Sequence, residues 1–244
     1  MNVWVKICGT TSVKDAEVAV RAGANALGFV FAASPRRISP ADARSITATL
    51  PENVQRVGVF VNETPEHVRE VAAAVRLTAV QLHGDETPDY VRHLFRDERP
   101  QAGSAPERRR GTMRIFKAIA VGANAASAAD RLREFSSNGD LVDAFLLDSA
   151  GTDPAGTDPV NQVRGGSGKP FDQDAAAELC ERFAGRARFI VAGGLRPGNV
   201  ADAIRKLQPW GVDVVSGVEQ QPGVKDEAAV RSFIRRVREV EATL

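Results

Sequence analysis

The 244 residues include only two cysteines, Cys8 and Cys180, together with one tyrosine, two tryptophans and three histidines. Two cysteines so far apart exclude a disulfide-built scaffold and favour a reducing, cytoplasmic setting. An excess of charge is missing too. Lys and Arg number 32 against 31 Asp and Glu, a net charge of +1, which excludes long-range attraction to nucleic acid or to an anionic membrane surface. The longest apolar runs are strand-sized, well short of the roughly 20 residues that span a bilayer. The opening MNVWVKICG has no charged segment followed by an apolar run and a cleavage site, so no secretory leader is expected. No spacing of His, Cys and carboxylates suits a metal, and no G-x-G-x-x-G follows a strand.

What is present is regular alternation. With 43% hydrophobic and 26% charged residues, the chain can bury a sizeable core. Short β-branched or Phe-rich runs alternate with segments of helical apolar spacing, the pattern of repeated βα units. The spacing predicts strands over 3–8, 26–31, 56–61, 79–83, 114–121, 144–148, 188–192 and 212–216. Helices are expected after Ser12, Ser39-Pro40, Thr64-Pro65 and Thr87-Pro88, and over 125–135, 172–183, 197–207 and 226–240. Eight such pairs predict a single-domain α/β fold, a closed (β/α)8 TIM barrel over 1–244.

Two segments break the rhythm. Residues 96–112, RDERPQAGSAPERRRGT, have neither period and are expected to form a flexible surface loop on the face opposite the site. Their arginine triplet reads as a solvated charge run rather than a nucleic-acid patch. Residues 150–164 carry the duplication AGTDP-AGTDP after strand six, a long loop with two open readings, a lid or a tolerated insertion.

Three glycine-bearing turns late in the chain are the strongest local signal. They are GGSGK (Gly166, Ser167 and Gly168 at its centre), AGG (Gly193, Gly194) and SGVE (Ser216, Gly217). Glycines let backbone N–H groups approach an anion, and barrels bind phosphate after strands seven and eight. At the end of strand one, KICG presents Cys8 where barrel catalytic groups emerge, as a small core residue or as a reactive thiol. Lys6, on the same strand face, is expected to lower the thiol pKa from about 8.5. FLLDS leaves Asp148 at the same rim, either as a cap of the next helix, the weaker reading because that helix starts much later, or as a proton donor, since apolar walls favour a protonated carboxyl group. Arg36 of SPRRIS can pair bidentately with a carboxylate, with Arg37 an equal rival. Gln81 and His83 of VQLHGDE close strand four, and His83 is either a pocket-lining or a structural histidine. His67 and His93 read as helix surface, and Cys180 as packing.

Taken in order, KICGTT, GFVF with SPRRIS, RVGVFVNE, VQLHGDE, FLLDS, GGSGKPFD, AGGLRPGNV and VDVVSGVE make the chain resemble the phosphoribosylanthranilate isomerases over essentially its whole length. The resemblance implies a cofactor-free Amadori rearrangement in tryptophan biosynthesis, acting on a phosphorylated small molecule. Cys8 is then implied as base, Asp148 as acid, Arg36 as holder of the anthranilate carboxylate, the glycine turns as the phosphate site, and Asp213 of VDVVSG as a neighbour of the anthranilate amine. A monomer or homodimer is expected. A related phosphosugar barrel, an aminoaldose isomerase or an epimerase, is the nearest alternative. The histidine-pathway enzyme places an aspartate where Cys8 stands.

Overall fold

The computed structural model describes residues 2–94, 113–122, 125–137, 141–149 and 172–244. Eight parallel strands follow chain order: β1 (Trp4–Cys8), β2 (Ala26–Val30), β3 (Gln55–Phe60), β4 (Ala79–Leu82), β5 (Arg114–Val121), β6 (Ala144–Ser149), β7 (Phe189–Val191) and β8 (Gly211–Val214). The ring closes where Trp4 to Ile7 of β1 pair with Gly211 to Val214 of β8. The first seven strands lie within one residue of the predicted limits.

Helices α1 (Val13–Ala22), α2 (Pro40–Thr47), α3 (Pro65–Val75), α4 (Pro88–Leu94), α5 (Ala125–Ser136), α6 (Gln173–Arg182), α7 (Val200–Leu207) and α8 (Glu227–Glu241) fill the intervals. Their starts follow from capping chemistry. Ser12, Ser39, Thr64, Asp172 and Asp226 each accept a hydrogen bond from a backbone N–H of the first turn, which satisfies donors that the helix itself cannot. Among the described residues no helix is long and apolar enough to cross a membrane.

Two predicted limits need correction. α7 begins at Val200, not at Pro197, because Asn199 spends its side chain on the preceding turn: its Oδ1 accepts from Arg196 N and its Nδ2 donates to Gly194 O. β8 stops at Val214 instead of reaching Ser216. The chain there enters a 3-10 turn, Ser216–Val218, and then an unforeseen antiparallel pair, β9 (Glu219–Gln221) and β10 (Val224–Lys225). The predicted loops at 96–112 and 150–164 lie outside the described residues.

Alternation along the strands divides the core in two. One apolar layer lies between sheet and helices. A second fills the barrel floor, where Trp4 meets Ala26, Val57, Ala79, Phe116, Leu146 and Ile190. Trp4 stacks on Trp210 at 5.1 Å and meets Phe116 edge-on at 5.5 Å. This floor seals the N-terminal end of the ring, so the inward positions nearer the strand C-termini become the lining of a mouth.

Candidate active site

Two residues above Trp4 on the inner face of β1 stands Lys6, and two further on stands Cys8. The matching inward positions are Gln81 on β4, Asp148 on β6 and Asp213 on β8, with His83 one residue beyond β4. An apolar floor is thus topped by a polar layer. The fully buried Lys6 ammonium lies 2.9 Å from Asp213 Oδ2 and donates to Gln81 Oε1 at 2.7 Å. Burial alone would pull the Lys6 pKa down, but Asp213 and Cys8 beside it outweigh that, and Lys6 is held above the ordinary lysine value. Asp213 Oδ1, equally buried, has no hydrogen-bond partner among the described residues.

Cys8 is 4% exposed and lies opposite Gly28 of β2. The absent side chain there makes room for the thiol, since a Cβ on Gly28 would fall 2.4 Å from Cys8 Sγ. The expected lowering of the thiol pKa by Lys6 is overturned in net effect. Burial pushes the thiol up and Asp213 adds to it, and together they exceed the opposing pull of Lys6 and Lys225.

Asp148 Oδ1 accepts from Ser149 N at 2.8 Å, while Oδ2 faces His83 Nε2 at 3.3 Å. His83 Nδ1 meets Gln81 Nε2 at 2.8 Å. A continuous polar line therefore runs from Asp213 through Lys6, Gln81 and His83 to Asp148. His83 is thus hydrogen-bonded and stands one residue beyond the C-terminal end of β4. Its two counterparts are exposed on helices, His67 on α3 and His93 on α4, as expected, and Cys180 packs partly buried against the outer core.

The adjacent arginines differ in burial: Arg36 is buried and Arg37 exposed. Arg36 grips a carboxylate, but one of its own chain. Nε lies 3.0 Å from both Glu219 oxygens, and Nη2 lies 2.8 Å from Oε2. Glu219 also receives Lys225 Nζ at 2.9 Å, and the same ammonium donates to Cys8 O at 2.5 Å. Sequence reasoning missed Glu219 and Lys225. Their one available signal was Pro222-Gly223, a turn dipeptide between short polar runs.

Two of the three glycine turns are described, while Gly166, Ser167 and Gly168 lie outside the described residues. Gly193 and Gly194 are both left-handed, with φ of +77° and +66°, a conformation available to glycine at little cost. A Cβ on Gly193 would meet Ser149 N at 2.7 Å and Asp148 Oδ1 at 2.8 Å, so this turn lies directly against the Asp148 carboxyl group. A Cβ on Gly217 would fall 1.9 Å from Leu195 O, which brings the turn after β8 against the turn after β7. Ser216 opens the 3-10 turn beside them.

Comparison with known proteins agrees with this geometry over nearly the full length. Residues 5–102 and 104–236 match the family model described as N-(5'phosphoribosyl)anthranilate (PRA) isomerase. A relative from Trichlorobacter lovleyi named N-(5'-phosphoribosyl)anthranilate isomerase is 44% identical, covering 97% of this chain and 98% of its own. The crystal structure of the phosphoribosyl anthranilate isomerase from Thermotoga maritima superposes with a TM-score of 0.78 at 37% identity, over 98% of this chain and 100% of that one. A phosphoribosyl anthranilate isomerase solved in complex with reduced 1-(o-carboxyphenylamino)-1-deoxyribulose 5-phosphate superposes with a TM-score of 0.76 at 35% identity, with the same coverage. A closed eight-stranded barrel, a thiol and a carboxyl group at its mouth, and this breadth of sequence agreement lead to one conclusion: the chain belongs to the phosphoribosylanthranilate isomerase family.

Proposed function

We propose that this chain converts N-(5-phosphoribosyl)anthranilate to 1-(2-carboxyphenylamino)-1-deoxyribulose 5-phosphate, the Amadori step of tryptophan biosynthesis, by general acid–base catalysis without a cofactor. Asp148 donates a proton to the furanose ring oxygen, and the C1–O bond breaks to leave an iminium. The iminium acidifies the proton on C2, which Cys8 removes as thiolate, and the resulting enolamine tautomerises to the ketone. The observation that carries this reading is the polar layer itself. Above an apolar floor, the inward positions hold Cys8, Asp148 and the charged chain between them.

The remaining roles follow from donors and acceptors. The Lys6 ammonium opposes the effect of burial on Cys8 and favours its ionised form. Asp213 Oδ1, an acceptor in search of a donor, suits the N–H of the anthranilate amine. Glu219 occupies Nε and Nη2 of Arg36, which leaves Nη1 as the edge to meet the anthranilate carboxylate. The turns at Gly193–Gly194 and Ser216–Gly217, with Gly166, Ser167 and Gly168, take the phosphate. We assign the protein to the cytoplasm, where its two free thiols stay reduced.

A continuous fluorescence assay of phosphoribosylanthranilate turnover tests the assignment. Cys8→Ala and Asp148→Asn should each lower kcat by about 10²–10⁴-fold, the usual worth of a positioned acid or base. Near-wild-type turnover in either folded variant would reject the role given to that residue.

A further inference from the structure

The line of hydrogen bonds crossing the barrel has a direction, and Lys6 sets it. An ammonium has donors only, so the Gln81 atom 2.7 Å from Lys6 Nζ is the carbonyl oxygen. That leaves the amide nitrogen, a donor, 2.8 Å from His83 Nδ1. An N–H aimed at Nδ1 requires Nδ1 to accept, so the ring proton sits on Nε2, which faces Asp148 Oδ2 at 3.3 Å.

We propose that Gln81 is a positioning residue: oriented by Lys6, it holds His83 as the neutral Nε2–H tautomer and so aims that N–H at Asp148 Oδ2, which matters for turnover because Asp148 is read above as the acid. A histidine beside a carboxylate ordinarily takes the proton itself and forms an ion pair. Here a second ring proton would stand on Nδ1, against the Gln81 NH2. Turning the amide over would set that NH2 against the Lys6 ammonium, which cannot accept. Either arrangement opposes two donors where Gln81 is 2% and Lys6 0% exposed. An unsatisfied buried donor shifts such an equilibrium by roughly ten- to a hundredfold.

Asp148 on β6 faces the ring, Asp213 on β8 interacts with it electrostatically, Lys6 on β1 lies one hydrogen bond beyond Gln81, and Lys117 on β5, paired with Glu86, bonds the carbonyls of Leu82 and Gly84 on either side of His83. The two carboxylates favour an imidazolium and Lys6 opposes it, so Gln81 supplies the direction-dependent part of the balance. The Nε2–H that the ring keeps is aimed at Asp148 Oδ2, while Ser149 N donates to Oδ1, and together they hold the carboxyl group in place.

Nitrogen-15 NMR of the whole protein tests this, since only three histidines contribute and His67 and His93 are exposed references. In the wild type, the neutral His83 ring should show an unprotonated Nδ1 and a protonated Nε2. Gln81→Glu replaces the donor by an acceptor of the same shape. It should bring a proton onto His83 Nδ1, which the nitrogen-15 shifts read directly. The same variant should lower kcat about tenfold or more while KM changes little. An Nδ1–H tautomer in the wild type would overturn the proposal without any variant having to fold. So would an unchanged His83 spectrum in Gln81→Glu, or a changed spectrum with unchanged kcat. Full turnover by Asp148→Asn would instead strike the acid assignment and leave the wild-type His83 spectrum as it was, so the two failures are distinguishable.

Discussion

Replacing Lys225 by Met removes one ammonium from a buried junction and leaves its neighbours in place. Nζ contacts Cys8 O, Glu219 Oε1 and, at 3.4 Å, Val215 O, and the side chain is 1% exposed. Breaking a buried ion pair outright costs about 3–5 kcal/mol, because a bare charge is left behind. Glu219 is not left bare, since Arg36 retains its contacts to both carboxylate oxygens. What remains is the loss of charge-assisted bonds to buried acceptors, so the expected destabilisation is about 2–4 kcal/mol. Urea unfolding should show it as a fall in midpoint of roughly 1 M at unchanged slope, for a slope of about 2–3 kcal/mol per M.

The pH dependence supplies a sharper check on the same variant. Burial pushes Glu219 up, but Arg36 and Lys225 together outweigh it and hold the folded carboxyl below its ordinary value. A folded-state pKa that is depressed gives stability that is present above the unfolded value, near 4.3, and is lost as pH falls through the folded one. Lys225→Met removes part of the depression, so the stability gap between wild type and variant should narrow as pH falls below about 4.3. A destabilisation under about 0.5 kcal/mol, the level of an ordinary surface substitution, or a gap that stays constant through the acid range, would refute the reasoning.

Two further outcomes follow from the thiol's surroundings. Gly28→Ala places a methyl group 2.4 Å from Cys8 Sγ and 3.1 Å from Cys8 Cα, so the thiol must move. The fold should lose only about 1–3 kcal/mol, while turnover falls about a hundredfold, as for a 1 Å misplacement of a reacting group; turnover close to wild type in the fluorescence assay would show that the position of Cys8 is immaterial. Because burial raises both thiols, Cys180 to about 11, iodoacetamide labelling of each cysteine followed by mass spectrometry should be slow at neutral pH and keep accelerating above the ordinary thiol range; a Cys8 rate that levels off near pH 8.5 or below contradicts the burial argument.

Much of this architecture could be read from local chemistry. The strands were legible because their apolar runs are short and bounded, and the helix starts because Ser12, Ser39, Thr64, Asp172 and Asp226 are caps whose work is done within three residues. The start of α7 was misread for a related reason: Pro197 is a good first-turn residue, but Asn199 had a stronger claim on the turn at Gly194. Cys8 and Asp148 were legible because a strand end has one outlet in a barrel.

The polar layer was not legible, because each of its bonds joins residues that are neighbours only once the ring has closed. Lys6 reaches Asp213 because β1 pairs with β8, and it reaches Gln81 across the interior from β4. Sequence position alone therefore predicted the sign of the Lys6 effect on Cys8 and missed the larger cost of burying the thiol beside a second charge. The same closure commits Arg36 to Glu219 and Lys225 to the Cys8 carbonyl, so the hairpin after β8 ties Arg36 to the strand that carries Cys8. A perturbation of that hairpin must then be felt at two functional groups at once, which no single motif in the chain records.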